Sequence, residues 1–380
     1  LLFKPLWLFN NQNLGIPGDD MSYWLHSATI AFDYDLDYKN DYTLENNIFN
    51  PETNVPSHPP GAGYIASPFV FLFSQLDKVF NLPIENTRTN PVKSFAYLGF
   101  FVSGLFYTYI GTKLLSKIVK KYNNKYAGLI IFCGLVSSLI HYISTRFLMA
   151  HGIEFFLCCS LIYIFEKDEG KHLNNRDIAL LLIIYFFLSI TRPSTFLYSL
   201  VLLFFYRKKV NFNLKSNLIY TVEFLGLSAF YIFLSRKLYE RNFMLLNTYG
   251  ENMNEYTSTL NSEQLFSGFL KLPALFLSPN MGIAFSTPIV FLTFILFFIK
   301  QFRQSETNLN IFYLFTFFSA SFLPLLIWQG REVAYGQRLL IGTLPMCILI
   351  ACKFLYSYRL LFLTKLLTAF SYVGYLFFYS

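Results

Sequence analysis

Two adjacent carboxylates stand in Gly18-Asp19-Asp20-Met21-Ser22-Tyr23-Trp24-Leu25. A carboxylate beside a membrane surface can take the proton from an attacking hydroxyl or amine. A pair of carboxylates can also hold a divalent cation, which prefers oxygen ligands. A divalent cation at Asp19 and Asp20 is therefore the candidate cofactor. The competing role is an N-cap, in which an aspartate satisfies the free N–H groups of a helix start. A second motif is His58-Pro59-Pro60-Gly61. Its prolines stiffen the chain and suit the first turn of a helix. His58 there either decorates a turn or faces a phosphate as donor or cation.

The third motif runs from Trp328 through Arg331 and Tyr335 to Arg338. Arginine recognises phosphate in a planar, two-pronged manner. An arginine inside a membrane span costs about 2.5–3.5 kcal/mol, so Arg338 must either snorkel to the interface or bind an anion. Arg192-Pro193 and Thr145-Arg146 are further cations among apolar runs. His151 and Glu154 follow Arg146 at a spacing of three residues, which lets them pair on one helix face. Asp33, Asp35 and Asp37 alternate as in a calcium loop. Tyr38 replaces the required glycine and Leu44 the bidentate glutamate, so an EF-hand is excluded. No nucleotide-binding glycine loop is present.

The elements that must position these groups are apolar. Of 380 residues, 54% are hydrophobic and 14% charged, against about 25% charged in soluble domains. Several runs approach the roughly 20 residues that cross a bilayer. The chain therefore reads as an all-α polytopic membrane protein. Spans are expected at about 94–116, 126–144, 147–165, 178–191, 194–206, 217–235, 283–300, 309–327, 338–355 and 360–378. The pair at 178–206 is short, and one helix kinked at Pro193 is its rival. Leu1 to Phe9 is expected to be the tail of an earlier span. Residues 1–93 then form a first exoplasmic region, with an interfacial or re-entrant helix at 61–76. Residues 94–380 form the bundle, with a long exoplasmic loop at about 236–282.

The net charge of +8 follows from short loops rich in lysine, such as Lys113 to Lys125 and Arg207-Lys208-Lys209. Such loops belong in the cytoplasm, and no nucleic-acid module accompanies them. Nucleic acid is not an expected partner. Threading the spans between the basic loops leaves every motif above on the opposite face. The five cysteines all lie in apolar runs and read as buried thiols.

Taken together, Gly18-Asp19-Asp20 with Tyr23, His58-Pro59-Pro60-Gly61, Arg192-Pro193, and Tyr335-Gly336-Gln337-Arg338 followed by Pro345 resemble the GT-C glycosyltransferases. The nearest members would be bacterial protein O-mannosyltransferases and lipid A aminoarabinose transferases. The resemblance implies a bundle of about 10–11 transmembrane helices with juxtamembrane helices on the outer face of the bacterial inner membrane. It implies transfer, with inversion, from a polyprenyl-phosphate sugar to a lipid, glycan or protein acceptor. Asp19 matches the family's catalytic base and Asp20 its second acid. Arg338, Arg192 and His58 would meet the donor phosphate. Arg331, Tyr335, Tyr23 and Trp328 would line the acceptor or substrate side. The protein-modifying members continue Pro-Pro-Leu-Gly-Lys where this chain has Pro-Pro-Gly-Ala-Gly, which leaves the acceptor open. The alternatives are a lipid-linked saccharide flippase, or an O-antigen ligase or polymerase.

Overall fold

A computed structural model of the chain describes residues 18–38, 55–82 (apart from 57), 94–168, 172–206, 214–240, 282–301 and 338–354, with a few isolated positions besides. These residues form helices and no strands. The helices are α1 (Gly18–Ala28), α2 (Gly61–Val79), α3 (Phe95–Tyr122), α4 (Ala127–Leu135), α5 (Ser138–Ser144) and α6 (His151–Glu166). They continue as α7 (Asn175–Thr191), α8 (Pro193–Phe205), α9 (Leu214–Tyr239), α10 (Ile283–Ser286), α11 (Pro288–Gln301) and α12 (Leu344–Phe354). A π turn at Thr29–Asp33 follows α1, and a 3-10 turn at Arg338–Thr343 leads into α12.

α2 and α3 form an antiparallel hairpin locked at its join. The Asp77 carboxylate accepts from Phe95 N at 2.6 Å and from Ala96 N at 2.9 Å, and Ser94 Oγ accepts from Tyr97 N at 3.1 Å. The otherwise unpaired donors of a helix start are thereby satisfied, by a negative charge at the positive end of the helix dipole. Further along, Tyr107 donates to the Ile65 carbonyl at 3.4 Å. The start of α2 therefore lies beside the middle of α3, roughly 18 Å along the axis from Phe95 at 1.5 Å per residue. The helix expected at 61–76 is present as α2 and packs along the first half of α3.

α6 runs parallel to α3. Gly152 lies against Thr108 and Gly104, Gly111 lies against Phe156, and Lys121 donates to the Glu166 carbonyl at 3.1 Å. The end of α6 is a polar knot. Glu166 accepts from the hydroxyls of Tyr122 and Tyr206, Lys209 Nζ donates to the Phe165 and Asp168 carbonyls, and Lys167 pairs with Asp177 at 2.5 Å. Among the described residues, Lys121, Lys167 and Lys209 thus gather at one end of α3 and α6, and Arg146, His151 and Glu154 lie at the other.

The pair at 178–206 is two helices. Tyr185 donates to the Ser199 carbonyl at 2.8 Å, although 14 residues of straight helix would span about 21 Å. The chain reverses at Arg192, whose φ of −147° and ψ of 88° lie outside the helical region. That region is disfavoured for a residue before proline.

Fewer spans are found among the described residues than expected. Among the described residues, two helices are long and apolar enough to cross a membrane: Phe95–Tyr122 and Leu218–Tyr239. A third arises if α4 and α5, bent by 64° at Val136–Ser137, act as one span. The segment expected at 126–144 is broken there, and the one at 283–300 is broken at Thr287. α6 and α7, with 16 and 17 residues, fall short of the roughly 20 residues typical of a bilayer-crossing helix. The segments expected at 309–327 and 360–378, the tail at 1–9 and most of the loop at 236–282 lie outside the described residues.

The hairpin depends on backbone contact at Gly99. A Cβ there would stand 2.7 Å from the Phe69 carbonyl oxygen and 2.9 Å from Phe73 Cβ, whereas at Gly104 the nearest heavy atom is 3.9 Å away. Gly99→Ala is expected to cost about 1–3 kcal/mol through overpacking. Gly104→Ala should instead stabilise by up to about 1 kcal/mol through helix propensity. Thermal unfolding of both variants in one detergent checks the opposite signs.

Candidate active site

Asp19 and Asp20 occupy the first turn of α1, where the helix dipole favours carboxylates. Consecutive helical residues point about 100° apart, and here the two acids have different fates. Asp20 is buried, and its Oδ2 accepts from Arg146 Nε at 2.9 Å and Nη2 at 2.5 Å. Asp19 stays one-third exposed, and its Oδ1 lies 3.5 Å from His58 Nε2. Burial alone would lower the pKa of Arg146, but Asp20 reverses this and raises it.

The His58 turn is held from several elements. Its carbonyl oxygen lies 2.8 Å from His26 Nε2 on α1, and the Tyr239 hydroxyl at the end of α9 donates to it at 3.2 Å. The Tyr23 ring packs on the His58 ring with centroids 5.4 Å apart. Two glycines bring the start of α2 in close. A Cβ on Gly61 would fall 2.4 Å from Thr191 Oγ1 and 2.7 Å from the Ile190 carbonyl, and one on Gly63 would fall 2.6 Å from the Tyr23 carbonyl. Gly61-Ala62-Gly63 therefore fits between α1 and the end of α7 because it has almost no side chain. This is a packing reason for Pro-Pro-Gly-Ala-Gly.

Arg192 sits one residue beyond that contact, but its side chain turns inward. It is 5% exposed, with Nε 3.5 Å from Glu154 Oε2. Glu154 also pairs with His151 Nδ1 at 2.9 Å, as their spacing predicts, and accepts from the Thr195 hydroxyl. The positive charge of Arg192 is thus already balanced inside the protein. The 3-10 turn that begins at Arg338 packs on α5 and α6, the helices that carry His141, His151 and Glu154. The Arg338 side chain lies outside the described side chains, and Trp328, Arg331 and Tyr335 lie outside the described residues.

The structure therefore brings Asp19, Asp20, His58 and Tyr23 together and directs Arg192 elsewhere. Among the described residues no three acidic, histidine or cysteine side chains are grouped to hold a metal. The acid pair suits a cation poorly, because Asp20 Oδ2 is already occupied by a guanidinium and the two carboxylates face different partners. Three contributors escaped the sequence: Arg146 as the partner of Asp20, and His26 and Tyr239 as holders of His58. Arg146 was visible only as a cation among apolar residues. Its partner lies 126 positions away, so no local spacing could reveal it. No family model, curated protein or solved structure matches the chain.

His26 is fully buried, and burial lowers its pKa from the usual 6.5 to about 3. Its neutral form is thus the folded form. In the unfolded chain it binds a proton below about pH 6.5, so its contribution to stability is complete above that pH and is lost as pH falls toward 3. Thermal midpoints should drop over this window. His26→Gln, which cannot titrate, should flatten the drop when both proteins are melted across the same pH series.

Proposed function

We propose that the chain is an inverting membrane glycosyltransferase of GT-C type, using a polyprenyl-phosphate sugar as donor and Asp19 as the base. The observation that carries this reading is the division of labour in the acid pair: Asp20 is consumed by Arg146, while Asp19 remains partly exposed and faces His58. A polytopic bundle in a bacterial inner membrane, with this site toward the outer face, is part of the same proposal.

The chemistry then assigns itself. The acceptor O–H or N–H gives its proton to the Asp19 carboxylate as its heteroatom bonds to the anomeric carbon. The bond from that carbon to the phosphate oxygen breaks on the opposite face, and its electron pair leaves with the polyprenyl phosphate. Attack opposite the leaving group inverts the anomeric centre. Cations that meet the developing charge lower the barrier. His58 and Arg338 suit this role better than Arg192, whose charge Glu154 already balances. Tyr23 is fully buried and backs the His58 ring from inside, so it would act on the sugar only through the placement of that ring.

Two isosteric changes separate the roles. Asp19→Asn is expected to lower turnover by about 10²-fold or more with an unchanged thermal midpoint. Asp20→Asn should destabilise by about 2–4 kcal/mol, because it leaves a partly buried guanidinium without its counter-charge. The assay is transfer of radiolabelled sugar from a panel of undecaprenyl-phosphate hexoses and pentoses by membranes containing each variant, beside a melting curve. Normal transfer by Asp19→Asn on every donor that the unmodified protein uses would refute the base assignment.

A further inference from the structure

We infer that His26 is a positioning residue: as the neutral Nε2–H tautomer that the acceptor-only His58 carbonyl selects, and with the Tyr38 hydroxyl behind it at Nδ1, it fixes the His58 peptide so that the His58 imidazole faces Asp19. The consequence for catalysis rests on the reading of Asp19 above; the lock itself does not.

The direction of each hydrogen bond follows from what each atom can do. A carbonyl oxygen only accepts, so His26 Nε2, 2.8 Å from the His58 carbonyl, must carry the proton. Nδ1 of a neutral ring must then accept. Its partner at 2.6 Å is the Tyr38 hydroxyl, which is therefore the donor. With its proton directed at His26, the Tyr38 oxygen is the acceptor toward the Tyr64 hydroxyl at 3.4 Å. Donation thus runs one way, from Tyr64 to Tyr38 to His26 to the His58 carbonyl. Burial keeps the ring neutral and depresses the pKa of His26, and a protonated ring would require the Tyr38 hydroxyl to turn its proton away from Nδ1.

The turn needs such a handle. Pro59 and Pro60 have no N–H, so the two residues after His58 cannot tie the turn down through their own backbone donors. The His58 carbonyl carries that burden, held by His26 on one side and by Tyr239 on the other. Rotating this peptide would swing the His58 Cα–Cβ bond, and with it the imidazole that stands 3.5 Å from Asp19. A flip of His26 to the Nδ1–H tautomer would remove the donor from the His58 carbonyl without changing the shape of any side chain.

The test uses the full chain with ¹⁵N-labelled histidine and ¹³C-labelled aspartate in phosphatidylcholine–phosphatidylglycerol nanodiscs. Solid-state ¹⁵N shifts read the His26 tautomer, and dipolar recoupling reads the distance from Asp19 Cγ to His58 Nε2. The unmodified protein should show Nε2–H at His26. His26→Phe, which keeps an aromatic ring and removes the donor, should lengthen the Asp19–His58 distance by about 1 Å or more, a displacement that can lower turnover by up to about 10²-fold. His26→Gln should keep the distance, and turnover with it, because an amide N–H can still donate to the His58 carbonyl. A purely packing role for His26 predicts the reverse order, since Phe fills the space of the ring better than Gln. An Nδ1–H tautomer in the unmodified protein overturns the lock. So does a His26→Phe variant with unchanged distance, or a His26→Gln variant that loses it. If Asp19→Asn transfers sugar normally, the proposed reaction fails, while the tautomer and the distance still decide the lock.

Discussion

The ion pair between Asp20 and Arg146 is the constraint on which the candidate site depends. It joins the first turn of α1 to the turn between α5 and α6, and it does so where Asp20 is 3% exposed. A carboxylate in such a place must be matched by a cation and hydrogen bonds or it would not ionise. Once Asp20 is directed at Arg146, the helical rotation of about 100° per residue turns Asp19 another way. The same orientation of α1 carries Tyr23 and His26 to the His58 turn. One charge pair therefore sets which acid is buried, which is accessible, and which face of α1 receives α2.

A second constraint is close approach without side chains. Gly61 and Gly63 let α2 touch the end of α7 and the backbone of α1, and Gly99 lets α3 close on α2. Ridges of larger residues would hold these helices at the usual 8–10 Å. The consequence is that the start of α2 lies beside the middle of α3 and against Thr191, while the His58 turn before it is within reach of Tyr239. The opposite end of the bundle is organised differently, with Glu166 accepting from two tyrosines and lysines capping carbonyls. The separation of lysine-rich and acid-bearing ends is thus expressed in packing as well as in loop composition.

The sequence made legible what is local. The helical class, the break at Arg192, the start of a helix after Pro60 and the His151–Glu154 pair all follow from composition, proline rules or helix periodicity. Long apolar runs were less reliable guides. The run at 126–144 reads as one span, but Val136-Ser137-Ser138 supplies a second cap, with Ser137 Oγ accepting from Leu139 N at 3.3 Å, and the helix bends. Pairings across long separations were invisible for a different reason. Asp20 with Arg146, and His58 with Tyr239, are fixed only when several helices have packed. The direction of a side chain such as Arg192 was equally hidden, because an arginine after an apolar run looks the same whether it faces a ligand or a buried glutamate.

The fate of Arg192 also bears on how a phosphate could be met at this site. A guanidinium already balanced by Glu154 gives little net attraction to a second anion, since the ligand would compete with a carboxylate buried beside it. Moving Glu154 away is costly as well, because His151 and Thr195 hold its two oxygens. In the proposed reaction, cationic help for the leaving phosphate would therefore come from groups without an internal carboxylate partner of this kind. His58 meets that condition only in part, because Asp19 stands beside it. In the proposed reaction the two features would be compatible: a His58 ring beside the Asp19 carboxylate would be shared with an arriving phosphate. If Asp19 took the acceptor's proton and lost its charge, His58 would become more available to the phosphate gaining charge. Proton removal and leaving-group stabilisation would then be coupled through a single ring, which makes the placement of that ring, set by the His58 peptide, a geometric requirement of the site.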